Sequence, residues 1–217
     1  MSNDLLIALL TALWQTLYMI SVSGLLAVIV GLPIGILLAT TQPNGILANK
    51  PCYYSLNTVV NIVRSIPFII LVVAIIPFTR FIIGTSIGEN AAIIPLTIGA
   101  IPFMGRIVEN SFHEIPHGLI EAGQAMGASA LQITWHILLP EALSSIIKGI
   151  TLTLITLLGY SAMAGTVGAG GLGYLAINYG YERFNATIIV STVIILIGLV
   201  QFLQTTGDWF ATKFKKL

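Results

Sequence analysis

Apolar residues run along this chain in five long stretches, roughly 12 to 40, 56 to 79, 90 to 110, 143 to 168 and 186 to 207, separated by polar breaks. A hydrocarbon core of about 30 Å takes about 20 residues of α-helix to cross, and each stretch reaches that length. Lipid offers no partner to a free backbone N–H or C=O, so runs of this kind predict helices. The pattern predicts an all-α, polytopic membrane protein with five transmembrane helices, forming a single transmembrane domain over residues 1–217. The first stretch is long enough to tilt or project, and Pro33 is placed to kink it. The largest polar interruption, residues 111–142, falls between the third and fourth stretches. No internal repeat or soluble domain interrupts the pattern.

Five crossings put the termini on opposite sides. If the C-terminus faces inward, that side carries Lys50, Arg106, Lys148, Lys213, Lys215 and Lys216, and the other only Arg80 and Arg183. The positive-inside rule therefore predicts an outside N-terminus, a cytoplasmic C-terminus and a cytoplasmic 111–142 loop. Arg64 is expected near the inner end of the second span, snorkelling to the interface.

Composition agrees: the chain is 56% hydrophobic and only 8% charged, with a mean hydropathy of +0.97. A net charge of +1 gives no basic stripe for nucleic acid. The single cysteine, Cys52, supports neither an internal disulfide nor a sulfur metal site. The start, Met1-Ser2-Asn3-Asp4, lacks the basic region of a secretory signal, so the first apolar stretch reads as a retained membrane helix.

Three patterns match catalytic motifs. His113-Glu114-Ile115-Pro116-His117 fits the H-E-x-x-H of zinc peptidases, with Glu141 spaced as a third ligand. That site needs one continuous helix, and Pro116 disfavours it. Glu141 after Pro140 equally suits the start of a span, where a carboxylate complements the helix dipole. Gly84-Thr85-Ser86-Ile87-Gly88 fits the nucleophile elbow, but all three histidines fall on the opposite side, and a turn is expected. Gly168-Ala169-Gly170-Gly171-Leu172-Gly173 fits G-x-G-x-x-G without the preceding strand or following acid of a dinucleotide site, so close backbone packing is expected. No glycine precedes a lysine, so no P-loop is present. If ATP drives this protein, another subunit supplies it.

From Glu121 the sequence reads EAGQAMGASALQITWHILLP. Pro116 and Gly118 punctuate its approach, residues 119–130 suit a helix with small side chains, and Gly127 within it would let a partner approach. Leu131, Trp135 and Leu138 recur at helical spacing and are expected to pack a second helix against the spans. Residues 117–136 contain no lysine or arginine, which favours a protein surface over lipid as the partner. Glu121, Ala122, Gly127, Ile137, Leu139 and Pro140 fall in register with the EAA signature of membrane subunits in binding-protein-dependent ABC importers, with Gly123 replacing an alanine. This stretch resembles that family's coupling helix. The likeness implies that Glu121, Ala122, Gly123, Ala125, Met126, Gly127, Leu131 and Pro140 form the surface through which a separate ATPase drives the spans.

The run from Tyr160, YSAMAGTVGAGGLGYLAINYGYERF, and VRSIPFIIL from Val63 resemble the methionine importer permeases. That resemblance implies a type I ABC importer permease fold and a homodimer in a bacterial inner membrane. It also implies two copies of a cytoplasmic P-loop ATPase that bind ATP and Mg, and a periplasmic or lipid-anchored methionine-binding protein. This chain itself would hold no cofactor and no metal. Tyr160, Ser161 and Met163, with Ser65 and Pro67, are candidates to line the solute path, Met163 as an apolar plug or equally as helix packing. An intramembrane zinc peptidase, an importer of a different amino acid and a secondary carrier or channel are the competing readings. Few ionisable groups lie deep in the spans, which disfavours a proton relay.

Overall fold

The computed structural model describes residues 3–214. Met1 and Ser2 of the N-terminal reading, and Lys215 and Lys216 of the charge argument, lie outside the described residues. Within them the chain is a succession of helices without strands.

Helix α1 (Asn3–Thr41) starts about nine residues before the apolar stretch and runs through Pro33 without ending. Its 39 residues span about 58 Å at 1.5 Å per residue, well beyond the hydrocarbon core. Gly24, Ala27, Gly31 and Gly35 lie on its buried side. Gly31 and Gly35 seat it against α5 (Glu89–His113), while Gly24 faces Leu154 and Leu157. A methyl group on Gly31 would lie 2.9 Å from the Ile101 carbonyl oxygen, and one on Gly35 2.5 Å from that of Gly105. Small residues of this kind let membrane helices approach until their backbones touch.

The expected second span, 56–79, is not one helix. It is built from α2 (Lys50–Ser65), α3 (Phe68–Ala74) and α4 (Ile76–Ile83). α2 and α3 meet at 99°. Ile66 is extended at the bend, as the residue before a proline prefers, and Pro67 opens α3. Among the described residues four helices are long and apolar enough to cross a membrane, and a fifth crossing requires the bent pair to act as one.

The fourth crossing is longer than expected. Helix α7 (Ala130–Ile133), a π-helical segment (Thr134–Leu138) and α8 (Leu139–Gly165) run together as one 36-residue span. Glu141 therefore sits inside a continuous helix rather than at its start, and the dipole argument for it does not apply. The wider π turn directly precedes Pro140, whose ring would collide with the carbonyl four residues back in a regular α-helix. Helix α10 (Ala186–Lys213) closes the chain. It packs on α8 where Gly207 meets Thr151, and the Ser144 hydroxyl donates to the Ala211 carbonyl at 2.9 Å.

The loops sort to two ends. At one, the Gly88 N–H donates to the Gly168 carbonyl at 2.9 Å. There the Gly171 and Leu172 N–H groups also reach Gln15 Oε1 and Thr16 Oγ1, each at 2.9 Å. Gly168, Gly170 and Gly171 have φ of 90°, 83° and 79°, and side chains at Gly165 and Gly173 would strike the backbone of Tyr174 and Ala162. The glycine run is thus turn and close packing. It opens α9 (Gly171–Tyr174) and a second π segment (Leu175–Tyr181). In the nearby Gly84–Gly88 stretch, Gly84 ends α4 at φ 83° and Ser86 Oγ accepts from Arg80 Nε at 3.1 Å, as a turn would. At the other end, α1, α5 and the 114–142 segment enclose a cavity of about 220 Å³.

Candidate functional site

Pro116 stops α5 at His113 and starts a new helix, α6 (His117–Ala125). The two histidines of HEIPH therefore stand on different helices, and both are exposed. Glu114 is already engaged: Ser145 Oγ of α8 donates to its Oε2 at 3.0 Å, and Ser111 Oγ of α5 donates to Ser145 Oγ at 3.0 Å. This chain of hydroxyls brackets α5 to α8. Among the described residues no three His, Cys, Asp or Glu side chains are grouped to hold a metal ion.

Met126 caps the C-terminus of α6, and Gly127 follows at φ 78°. The Ala128 N–H reaches the Gly123 carbonyl at 3.0 Å and the Gly127 N–H that of Gln124 at 2.9 Å. These paired bonds form a Schellman motif, in which glycine supplies the left-handed residue. Gly127 is therefore not in a helix interior, as the sequence suggested, but is the stop signal after it. Ser129 then starts α7 with a capping box: its hydroxyl accepts from the Gln132 N–H at 3.3 Å, and Gln132 Oε1 accepts from the Ser129 N–H at 2.8 Å. Ser129→Ala is expected to cost about 1 kcal/mol of local stability, seen as faster amide exchange over residues 130–133.

The resulting helical hairpin has distinct faces. Ile115, Gly123, Ile133 and Leu138 are buried, with Ile115, Ile133 and Leu138 in one cluster with Phe112 and Met104. A methyl on Gly123 would come within 2.7 Å of Ile137 Cδ1 and 3.3 Å of Ile133 Cγ1. Glycine here lets α6 lie against the π segment. Glu121, Ala122, Ala125 and Met126 point outward, Met126 at 79% exposure. Leu131 and Trp135 are exposed too, at 66% and 53%. They do not pack inward with Leu138 as expected, because the π turn shifts the helical register between them. Pro140 is half-buried behind this surface.

The residues proposed from the sequence for a solute path fall into two groups. Tyr160 stacks on Phe68 of α3 with ring centroids 4.2 Å apart and an interplanar angle of 1°. The pair borders a cavity of about 230 Å³ with Arg64, Ile66, Gly99 and Phe103. Met163, one turn on, is exposed, as are Ser65 and Pro67 at the α2–α3 bend. Ser161 lies on another face, buried, with its hydroxyl donating to the Leu158 carbonyl at 2.8 Å. It is packing inside the protomer rather than wall. Phe68 was not singled out from sequence, since its role depends on the bend that brings α3 to α8.

One polar cluster went unread altogether. Arg106 on α5 pairs with Glu109 at 2.6 Å and reaches Asn57 and Asn61 of α2. The spacing Tyr53, Asn57, Asn61, one residue per turn, was the available signal.

Comparison with known proteins agrees with this geometry. Residues 31–216 match the family model described as "Binding-protein-dependent transport system inner membrane component". The chain is 54% identical over 208 residues to the "Probable D-methionine transport system permease protein MetI" of Vibrio cholerae serotype O1, covering 96% of this chain and 91% of that protein. It is 58% identical over 165 residues to the "D-methionine transport system permease protein MetI" of Salmonella typhi, covering 76% of each. Among solved structures it is similar to a chain of "Inward facing conformations of the MetNI methionine ABC transporter", with a TM-score of 0.97, 51% identity and full coverage of both chains. A chain of an amino acid ABC transporter, 17% identical with a TM-score of 0.77 over 95% of this chain and 94% of that one, shares the fold. An exposed signature hairpin on a bundle of spans, with the family model matched over most of the length, leads to one assignment: the chain belongs to the family of binding-protein-dependent transport system inner membrane components.

Proposed function

We propose that this chain is the permease subunit of an ATP-driven importer of methionine, working as a homodimer with two copies of a separate ATPase and a methionine-binding protein. The observation that carries the reading is the signature hairpin. It ends in a Schellman turn and leaves Glu121, Ala122, Ala125, Met126, Leu131 and Trp135 uncovered, on a chain with no nucleotide motif of its own. ATP and Mg would bind the ATPase, and closure of two ATPases would move the hairpins as rigid bodies. Gly123, Gly127 and Pro140 serve this surface by shaping it. Tyr160, Met163, Ser65 and Pro67 are proposed to face the solute path, with Met163 as its movable apolar plug. Methionine is supported by the names of the relatives and of the solved transporter.

The proposed setting is a bacterial inner membrane, with the N-terminus outside and the hairpin and C-terminus in the cytoplasm. Reconstituted with its ATPase and binding protein, the chain is expected to take up labelled methionine only with ATP present, the L and D isomers being offered separately. Uptake without ATP would point to a secondary carrier, and preference for another amino acid would replace methionine. A protease-cleavable tag at the N-terminus should be cut from outside in spheroplasts, and one at the C-terminus should be protected; the reverse pattern would invert the topology.

A further inference from the structure

Within one protomer α2 has little to hold it. Of its sixteen residues only Val60 is buried. Its attachment to α5 rests instead on one polar face. Arg106 donates through Nη1 to Glu109 Oε2 at 2.6 Å, and through Nη2 to Asn57 Oδ1 at 2.6 Å and Asn61 Oδ1 at 2.8 Å. Asn61 Nδ2 donates on to Asn57 Oδ1 at 3.4 Å, and the Tyr53 hydroxyl to Glu109 Oε1 at 3.5 Å. Glu109 is only 2% exposed. A carboxylate so buried is costly without its partner, so the ion pair stays closed. The planar guanidinium then offers its remaining N–H groups in fixed directions.

The position of this cluster matters. Arg106 lies seven residues before His113, the last residue of α5, and α6 starts at His117. At its far end α2 leads within two residues to Pro67, the 99° bend and Phe68, stacked on Tyr160. Apolar packing would let α2 slide along α5; a fork bonded to two amides one turn apart does not.

We infer that Arg106 is a positioning residue for transport: with Glu109, it clamps Asn57 and Asn61 so that α2 moves with α5, carrying displacement of the signature hairpin to the Pro67 bend and Phe68. The inference rests on the proposed importer reading, and its test separates the two. Asn57→Ala/Asn61→Ala removes both arms from Arg106 to α2, leaving the long Tyr53–Glu109 bond and the ion pair on α5 intact, so folding is preserved where Arg106→Gln would strand Glu109. In reconstituted complexes with ATPase and binding protein, this variant is expected to hydrolyse ATP at the wild-type rate but move at least about fivefold less methionine per ATP. An unchanged ratio, or equal loss of hydrolysis and uptake, overturns the clamp. Absence of uptake by the wild-type complex overturns the importer reading instead.

A second readout needs no solute. Spin labels on Ile62→Cys and Leu119→Cys, in a Cys52→Ser background, report the distance from α2 to the hairpin. With both labels in one protomer of the pair and the other protomer unlabelled, the wild type should give one narrow distribution with or without a non-hydrolysable ATP analogue. Asn57→Ala/Asn61→Ala should broaden it, and an unbroadened distribution overturns the inference. Arg106→Lys keeps the charge but loses the fork, and should fall between the two in both measurements; behaviour equal to wild type also counts against it.

Discussion

Gly35→Leu should leave the protein unable to seat α1 on α5, and should lower the thermal midpoint in detergent more than any other single change considered. The native backbones meet there. A Cβ at this position would lie 2.5 Å from both the Gly105 carbonyl oxygen and Val108 Cβ, atoms that move only if a whole helix moves. Overpacking of side chains costs about 1–3 kcal/mol, and collision with a rigid backbone takes the cost to the upper end or beyond. Displacement of α5 also carries the hairpin with it, since only Glu114 to Pro116 separate α5 from α6. The control is Gly198→Leu, on α10, where an added Cβ has no neighbour within 4 Å. Equal midpoints for the two variants would show that the close approach does not matter to stability.

Substitution of Gly127 should separate backbone strain from steric bulk. At φ 78° this residue is left-handed, and a Cβ there has no neighbour within 4 Å in the protomer. An L-residue pays about 1–2 kcal/mol for that conformation whatever its size. Gly127→Ala and Gly127→Leu should therefore impair ATPase co-purification and ATP-dependent uptake alike, by about five- to thirtyfold if the full strain opposes docking. Gly127→Asn should be milder, because asparagine tolerates the left-handed region. If Leu is far worse than Ala, the loss comes instead from a crowded cleft on the partner, and helix termination is not the reason for this glycine.

Much of the fold was legible because lipid makes hydropathy a direct reporter of position. The crossings at 90–110 and 186–207 appear as α5 and α10, extended at their ends by residues whose polarity hid them from a hydropathy count. Pro116 was read correctly as a break, and the two flanking helices follow from it. What failed was where hydropathy and helical period part company. Residues 56–79 read as one span despite Asn57, Asn61 and Arg64 in their first half, yet Pro67 turns the chain by 99° in their midst. Ser161 is polar beside Met163, yet its hydroxyl is spent on its own helix. Arg106 looked like an orientation signal because its partners lie 49 and 45 residues away, on a face visible only once α2 is known to be helical from Lys50. Gly127 matched the family pattern by position, but its conformation requires knowing where α6 ends.

The π segment at Thr134–Leu138 fixes a relation between two distant surfaces. One added residue in a helix of 3.6 residues per turn rotates everything beyond it by about 100°. The azimuth at which Leu131 and Trp135 would meet the proposed ATPase is thereby set against the azimuth of Tyr160 and Met163, the proposed path residues, within a single stiff rod. A one-residue deletion inside the segment would leave the formal net charge as it is and the span about as apolar, but it would put the two ends of that rod out of phase. Such a protein would insert, and would turn the wrong side toward its motor.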